Sequence, residues 1–207
     1  MKWDLVRTPM RFPVENRPIW TVPVANMIRA NIDVALPEMH KAIGLLCDAY
    51  PTERILVHCV SYVVAEALVG AARERGMWYR NAVERGHVIE MFEHTDGAVM
   101  FAPSLDRGWD GADDKARVVV VAKVPWPNLG DPQIAARMFT RDGQRWYAVQ
   151  AVRTLVQMTG RGVRSADDWA HTYILDAQFR RSLYRRYKPL FPEWWRQAVS
   201  STPPVQL

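Results

Sequence analysis

Four residues in the stretch QMTGRGVRSADD, namely Gln157, Gly160, Arg161 and Arg164, stand in the spacing Q-x-x-G-R-x-x-R. Their types suit phosphate. A guanidinium presents a planar fork of N–H donors that matches phosphate oxygens two at a time and stays charged at physiological pH. Arginines three apart share a face where a helix or turn continues. Gln157, one turn earlier, adds an amide to that face, and Gly160 allows a neighbouring group to approach the backbone closely. The same spacing also describes a solvated helix end whose basic side chains complement the negative end of the helix dipole. The stretch by itself leaves both readings open.

Two other segments carry residues with chemical potential. SLDRGWDG contains Gly108 and Asp110. Glycine permits a tight turn there, and the aspartate could orient an arginine or a water; an ordinary surface turn uses the same residue types. HCVSY places Ser61 and Tyr62 after an apolar run. A hydroxyl and an aromatic ring at such a point can contact a nucleic-acid backbone and base, while a lone serine there also serves as a helix N-cap. His58 reads as a core histidine, and His40, His87, His94 and His171 show no metal-ligand spacing. Trp194 and Trp195, next to Arg196, could cover a groove. The chain has no G-x-x-x-x-G-K-[ST] phosphate loop, no apolar run ending in two acids to hold Mg²⁺, and no G-x-S-x-G, H-E-x-x-H or C-x-x-C. It therefore offers arginines for phosphate without a cradle to seat a nucleotide.

The bulk composition agrees with a partner that is a polyanion. Of the net charge of +5, the segment 153–196 supplies all: nine Lys and Arg against Asp167, Asp168, Asp176 and Glu193, nine minus four. A basic segment of this kind suits nucleic acid or nucleotide phosphate, and equally a solubilising surface. At 207 residues and 49% hydrophobic, the chain has material for one globular domain with a real core. No apolar run is long enough to span a membrane, and MKWDLVRTPMRF has no apolar region of a secretory signal. Two cysteines, Cys47 and Cys59, are too few for a disulfide framework. The expectation is a cytoplasmic, reducing setting, with Cys59 a buried thiol.

The elements that must position these residues follow from hydrophobic pattern. Residues 1–40, with Pro9, Pro13, Pro18, Pro23 and Pro37, read as an extended, proline-rich opening segment. An amphipathic helix is expected from residue 37 to 50. Buried strands are expected at 55–61 and 97–103, at 116–125, which is strongly β-branched, and at 171–176; the first is short, apolar and β-branched with no alternating polar face. Helices are expected at 62–75, 82–94 and 145–158, with Asp131 capping a further one that begins at Pro132. Two short aromatic helices should surround Tyr184 and Trp194, and residues 199–207 read as a flexible tail. Strands alternating with helices predict an α/β fold with a mainly parallel sheet, in which ligands sit beyond the carboxyl ends of the strands.

In this order the segments resemble the second RecA-like domain, the C-terminal helicase domain, of superfamily 2 DNA helicases of the XPD/DinG type. RFPVENRPIW looks like the segment that opens that domain, ILVHCVSY is similar to its fourth helicase motif and MFAPSLDRGWDG to its fifth. VVVVAKVPWPNLGDP resembles the strand and loop that follow, QMTGRGVRSADD the sixth motif, and FPEWW the closing segment. The resemblance covers residues 11–196 and implies a RecA-like three-layer αβα domain over residues 41–198. One departure is Arg107, where the family usually has an acidic residue.

The resemblance also implies roles. Arg161 and Arg164 would be arginine fingers reaching across an interdomain cleft to ATP phosphates. Gln157 and Gly160 would line that cleft, and Gly108 and Asp110 would couple it to the DNA track. Ser61, Tyr62 and Ser104 would lie along single-stranded DNA. ATP and Mg²⁺ would sit mainly on an N-terminal RecA-like domain, in the same polypeptide or a separate chain, and this chain would bind no metal. The expectation is half of a motor, a fragment or one chain of a split helicase, that does not hydrolyse ATP alone. The alternative is a stand-alone, non-catalytic module that binds nucleic acid or protein.

Overall fold

The computed structural model describes residues 12–105, 109, 111, 113–160, 162–163 and 165–207. Seven strands form one sheet in the order β3-β4-β2-β5-β6-β1-β7: β1 (Ile19–Ala25), β2 (Ile55–His58), β3 (Gly76–Trp78), β4 (Val99–Ala102), β5 (Val118–Val121), β6 (His171–Asp176) and β7 (Val199–Ser200). Every pairing is parallel, which confirms and tightens the expectation of a mainly parallel sheet. The helices are α1 (Ile32–Ala49), α2 (Tyr62–Leu68), α3 (Ala82–His94), α4 (Pro132–Met138), α5 (Gly143–Thr159), α6 (Arg185–Tyr187) and α7 (Glu193–Gln197).

The strands read as continuous apolar runs because both faces of the sheet are covered. Successive residues point to opposite faces. Ile55, Val57, Val99, Phe101, Val118 and Val120 pack with α1 and α2 through Met39, Ile43, Leu46, Ala65 and Leu68. On the other face, Leu56, Met100 and Val119 pack on Phe92 of α3, and Val121 and Ile174 on Ala148, Val152 and Leu155 of α5. The result is three layers, helix, sheet, helix.

Several boundaries differ from the sequence expectation. α1 begins at Ile32 and contains Pro37 in its second turn, where the missing N–H costs a backbone hydrogen bond; a 3₁₀ turn, Arg29–Asn31, leads into it. β1 contains Pro23, which falls in the stretch where the register with β6 shifts, between Thr21 and Ala25, the place a sheet tolerates a missing N–H. The helix expected over 62–75 stops at Leu68 and continues as 3₁₀ turns, Val69–Arg75, with Arg73 at φ 53°. Beyond β7, Val205 and Leu207 pack on the core, so apolar side chains hold the end of the chain. Asp131 caps α4 as expected, accepting from the N–H of Gln133 at 2.8 Å ahead of Pro132.

Candidate nucleic-acid and nucleotide-facing sites

At the carboxyl ends of β2 and β4, three of the candidate residues come together. Val60 takes φ 62°, a backbone conformation costly for a β-branched residue and characteristic of functional turns. That turn delivers Ser61 to the N-cap position of α2, where its side chain makes no capping hydrogen bond. The backbone is therefore that of a cap, while the hydroxyl is not used as one. Tyr62 follows and is 42% exposed. Its ring meets that of Tyr79 edge-on, with centroids 6.4 Å apart. Tyr79 is fully buried, burial raises its phenol above the ordinary value, and its hydroxyl donates to the Ser104 carbonyl at 2.8 Å. Ser104 itself is exposed. The N–H of Cys59 bonds the Ala102 carbonyl at 2.9 Å and locks the two strand ends in register. Tyr79 organises this cluster, yet nothing in the sequence marked it, because β3 is only three residues long.

The other candidate group lies at the opposite edge. β5 and β6 are parallel, so α5, which connects them, starts at the carboxyl edge and returns to the amino edge. Gln157 is exposed in its last turn and Gly160 is its C-cap. A Cβ at Gly160 would meet the Val156 carbonyl at 3.0 Å and the Trp194 ring at 3.8 Å, so the glycine admits a side chain and not a second backbone. Arg161 and Arg164 lie outside the described residues. Gly162, between them, is buried against the Ala116 carbonyl and the Ala170 side chain.

The segment after Arg164 is held firmly. The side chain of Asn16 donates to the Ala166 carbonyl at 2.8 Å, and the N–H of Ala170 returns a bond to the Asn16 carbonyl at 2.9 Å. Asp168 is buried, pairs with Arg117 and accepts from the N–H of Trp169 at 2.9 Å. Arg117 also donates to the Trp169 carbonyl at 2.7 Å and lies over its ring at 5.2 Å. Trp195 is core, its indole N–H donating to the Thr159 hydroxyl at 2.7 Å. Trp194 is half-buried, with the Arg17 guanidinium 5.7 Å from its ring.

The two groups are thus separated by the depth of the sheet, and the chain from β4 to β5 runs between them. It leaves the carboxyl edge at Ser104 and arrives at the amino edge with Ala116 against Gly162. Gly108, Asp110 and Arg107 fall within this connection, outside the described residues. What flanks them is pinned: the Trp109 indole donates to Glu93 at 2.7 Å, Lys115 bonds the same carboxylate at 3.2 Å, and Arg54 pairs with Asp114 at 3.0 Å. Residues Glu93, Arg54 and Arg117 were not singled out in the sequence, since each acts through partners far along the chain.

Asp176 organises the carboxyl edge further along. Fully buried at the end of β6, it accepts from the backbone N–H of Met27 at 3.2 Å, Gln178 at 3.0 Å and Val124 at 2.9 Å. Burial pushes its carboxyl above the ordinary value against the pull of these donors. Among the described residues no group of three or more His, Cys, Asp or Glu is arranged to hold a metal, and no helix is long and apolar enough to cross a membrane. Both cysteines are buried, with the Cys47 thiol pushed up to about 11 by burial.

The profile of the family described as Helicase C-terminal domain matches residues 43–198. Fanconi anemia group J protein homolog of Gallus gallus is 32% identical over 117 residues, which are 50% of this chain and 9% of that protein. Regulator of telomere elongation helicase 1 homolog of Drosophila yakuba is 26% identical over 156 residues, 61% of this chain and 16% of that protein. Among solved structures, that of Xpd4 from S. tokodaii superposes with a TM-score of 0.62 at 14% identity, covering 89% of this chain and 38% of that one. A structure named XPD helicase gives 0.63 at 14%, covering 83% and 34%. An all-parallel RecA-like sheet with these motif segments at its edges defines an α/β helicase-type domain. The chain belongs to the helicase C-terminal domain family of XPD/DinG-type superfamily 2 helicases. It spans a small fraction of the curated relatives that it matches.

Proposed function

We propose that this chain acts as the second motor domain of an ATP-dependent DNA helicase and works only with a first RecA-like domain that carries the phosphate loop. In this reading Arg161 and Arg164 are the arginine fingers, with Gln157 and Gly160 beside them at the same cleft. ATP and Mg²⁺ are seated mainly on the partner domain. When bound, the nucleotide supplies the phosphoryl group to be transferred; this chain supplies donors for the charge that develops on its oxygens. Ser61, Tyr62 and Ser104 form part of a single-stranded DNA track, and the connection carrying Gly108 and Asp110 links track and cleft.

The observation that carries this reading is the connection from β4 to β5. It starts beside Ser61 and Tyr62 and ends packed on Gly162, between the two arginines. A displacement of Gly162 would press directly on the Ala116 carbonyl, at the end of the chain that leads back to Ser104. A module that only held DNA would have no use for the Q-x-x-G-R-x-x-R pattern. The test is DNA-stimulated ATP turnover by this chain mixed with a phosphate-loop domain, with Arg161→Ala and Arg164→Ala as variants.

A further inference from the structure

A groove of about 670 Å³ lies on the carboxyl edge away from the Ser61–Tyr62–Ser104 cluster, lined by Trp126, Gln144, Tyr147, Arg181, Arg185 and Arg186, among others. Trp126 follows β5, the arginines follow β6, and Gln144 and Tyr147 stand in the first two turns of α5. Two features of the sequence build it. Between Asp176 and Glu193 there is no acidic residue, while Arg180, Arg181, Arg185, Arg186 and Lys188 are basic. Phe179–Tyr184 is π-helical and leads straight into α6. A π-turn closes from i to i+5, so residues four and five apart share a face. Arg181, Arg185 and Arg186 have those offsets and are all exposed. Among the described residues none of the three forms an ion pair. π-turns cost hydrogen-bond geometry and are frequent at functional sites.

Part of the lining is aromatic. Trp126 and Tyr147 stack with centroids 5.2 Å apart and planes 10° from parallel. The Tyr147 hydroxyl donates to the Pro127 carbonyl at 2.8 Å and fixes the pair in place. Arginine forks, an amide and a stacked aromatic pair lining one groove are the chemistry of a nucleotide unit: phosphate on the guanidiniums and a base against the rings.

We infer that this groove is a second anchor for single-stranded nucleic acid. The strand order gives the path. Ser104 follows β4, Ser61 follows β2, Trp126 follows β5 and Arg181 follows β6, and these four strands are neighbours in that order. Three inter-strand spacings of about 4.8 Å separate the first from the last, so a strand crossing the cluster at Tyr62 continues along the same edge into the groove. An acidic protein segment would be drawn by the same charge, but it has no use for the stacked Trp126–Tyr147 pair.

The experiment measures binding of a fluorescein-labelled oligothymidylate of about 20 nucleotides to the whole chain, by anisotropy, at several salt concentrations. Arg181→Ala/Arg185→Ala/Arg186→Ala should bind at least about 10-fold more weakly and lower the salt slope by about 2, at about 0.7 per single-strand phosphate contact. Trp126→Leu should weaken binding about 5-fold or more with the slope unchanged, since stacking releases no counterions. The arginines are exposed, so far-UV circular dichroism should match the wild type. A triple variant with wild-type affinity and slope overturns the groove. If Tyr62→Ala is weakened at the same time, the track through Tyr62 survives without it. The converse result keeps the groove and removes the track. Displacement of the probe by polyglutamate as readily as by unlabelled oligothymidylate assigns the surface to acidic protein and also overturns the proposal.

Discussion

The carbonyl oxygen of Ala116 lies so close to Gly162 that a Cβ added at residue 162 would stand 3.2 Å from it and would collide with the Ala170 side chain. This contact joins the fifth-motif connection to the sixth-motif segment, and only a residue without a side chain allows it.

Gly162→Val should therefore be destabilising. Overpacking a buried site costs about 1–3 kcal/mol, and a domain of this size loses roughly 2–4 °C of Tm per kcal/mol. Thermal melts monitored by circular dichroism check this. An unchanged Tm would mean that the segment swings away freely and that the contact does not link the two motifs.

Asp176→Ala should cost more. It leaves the N–H groups of Met27, Val124 and Gln178 without their acceptor. Each stranded buried donor costs about 1–3 kcal/mol, so a loss of about 3 kcal/mol or more is expected in urea unfolding. A shift of the midpoint too small to resolve would show that solvent reaches these groups.

His171 sets an acid sensitivity. Burial holds its imidazole below the ordinary value of 6.5, and its Nδ1 lies 3.0 Å from the Tyr50 hydroxyl, among the rings of Trp20 and Trp169. A depressed pKa in the folded state means that unfolding takes up a proton. The stability it contributes is complete above pH 6.5 and falls as the pH drops through the depressed value. Asp176, pushed upward by burial, contributes with the opposite sign. The histidine's own contribution is read as the difference between the wild type and His171→Phe, whose Tm should fall less steeply as the pH drops below 6.5. An equally steep fall in the variant would assign the sensitivity elsewhere.

Tyr62 provides the test of the DNA track. Tyr62→Ala removes an exposed ring from the carboxyl edge, where stacking on a base is worth about 1–3 kcal/mol. Affinity for single-stranded DNA at low salt should fall about 5-fold or more with little change in Tm. Binding as tight as that of the wild type would take the track off this cluster.

Much of this architecture is legible in the sequence, for a physical reason. β2, β4 and β5 are buried on both faces and so appear as apolar runs. β6 and α3 span the expected residues, and α3 has its Asn81 cap, accepting from Val83 and Glu84. What escaped notice depends on tertiary context. β1 carries Pro23 at a register shift, β3 is too short to leave a pattern, and Pro37 sits inside α1. The same division holds for the sites. Ser61, Tyr62 and Ser104 follow strands and could be found by position, whereas Tyr79, Arg117 and Glu93 matter through contacts 16 to 52 residues away along the chain. The arginines after Asp176 show in the sequence as charge alone, because the π-turn that aligns them has no signature in composition.

The central claim is that Arg161 and Arg164 complete an ATP site seated on another domain. Its most direct test is the single-strand-stimulated ATP turnover of this chain combined with a phosphate-loop domain. The account predicts turnover only in the mixture, and a fall of about 10³-fold or more with Arg161→Ala or Arg164→Ala, while the assembled complex persists. Turnover left intact by both substitutions in a working complex would contradict it.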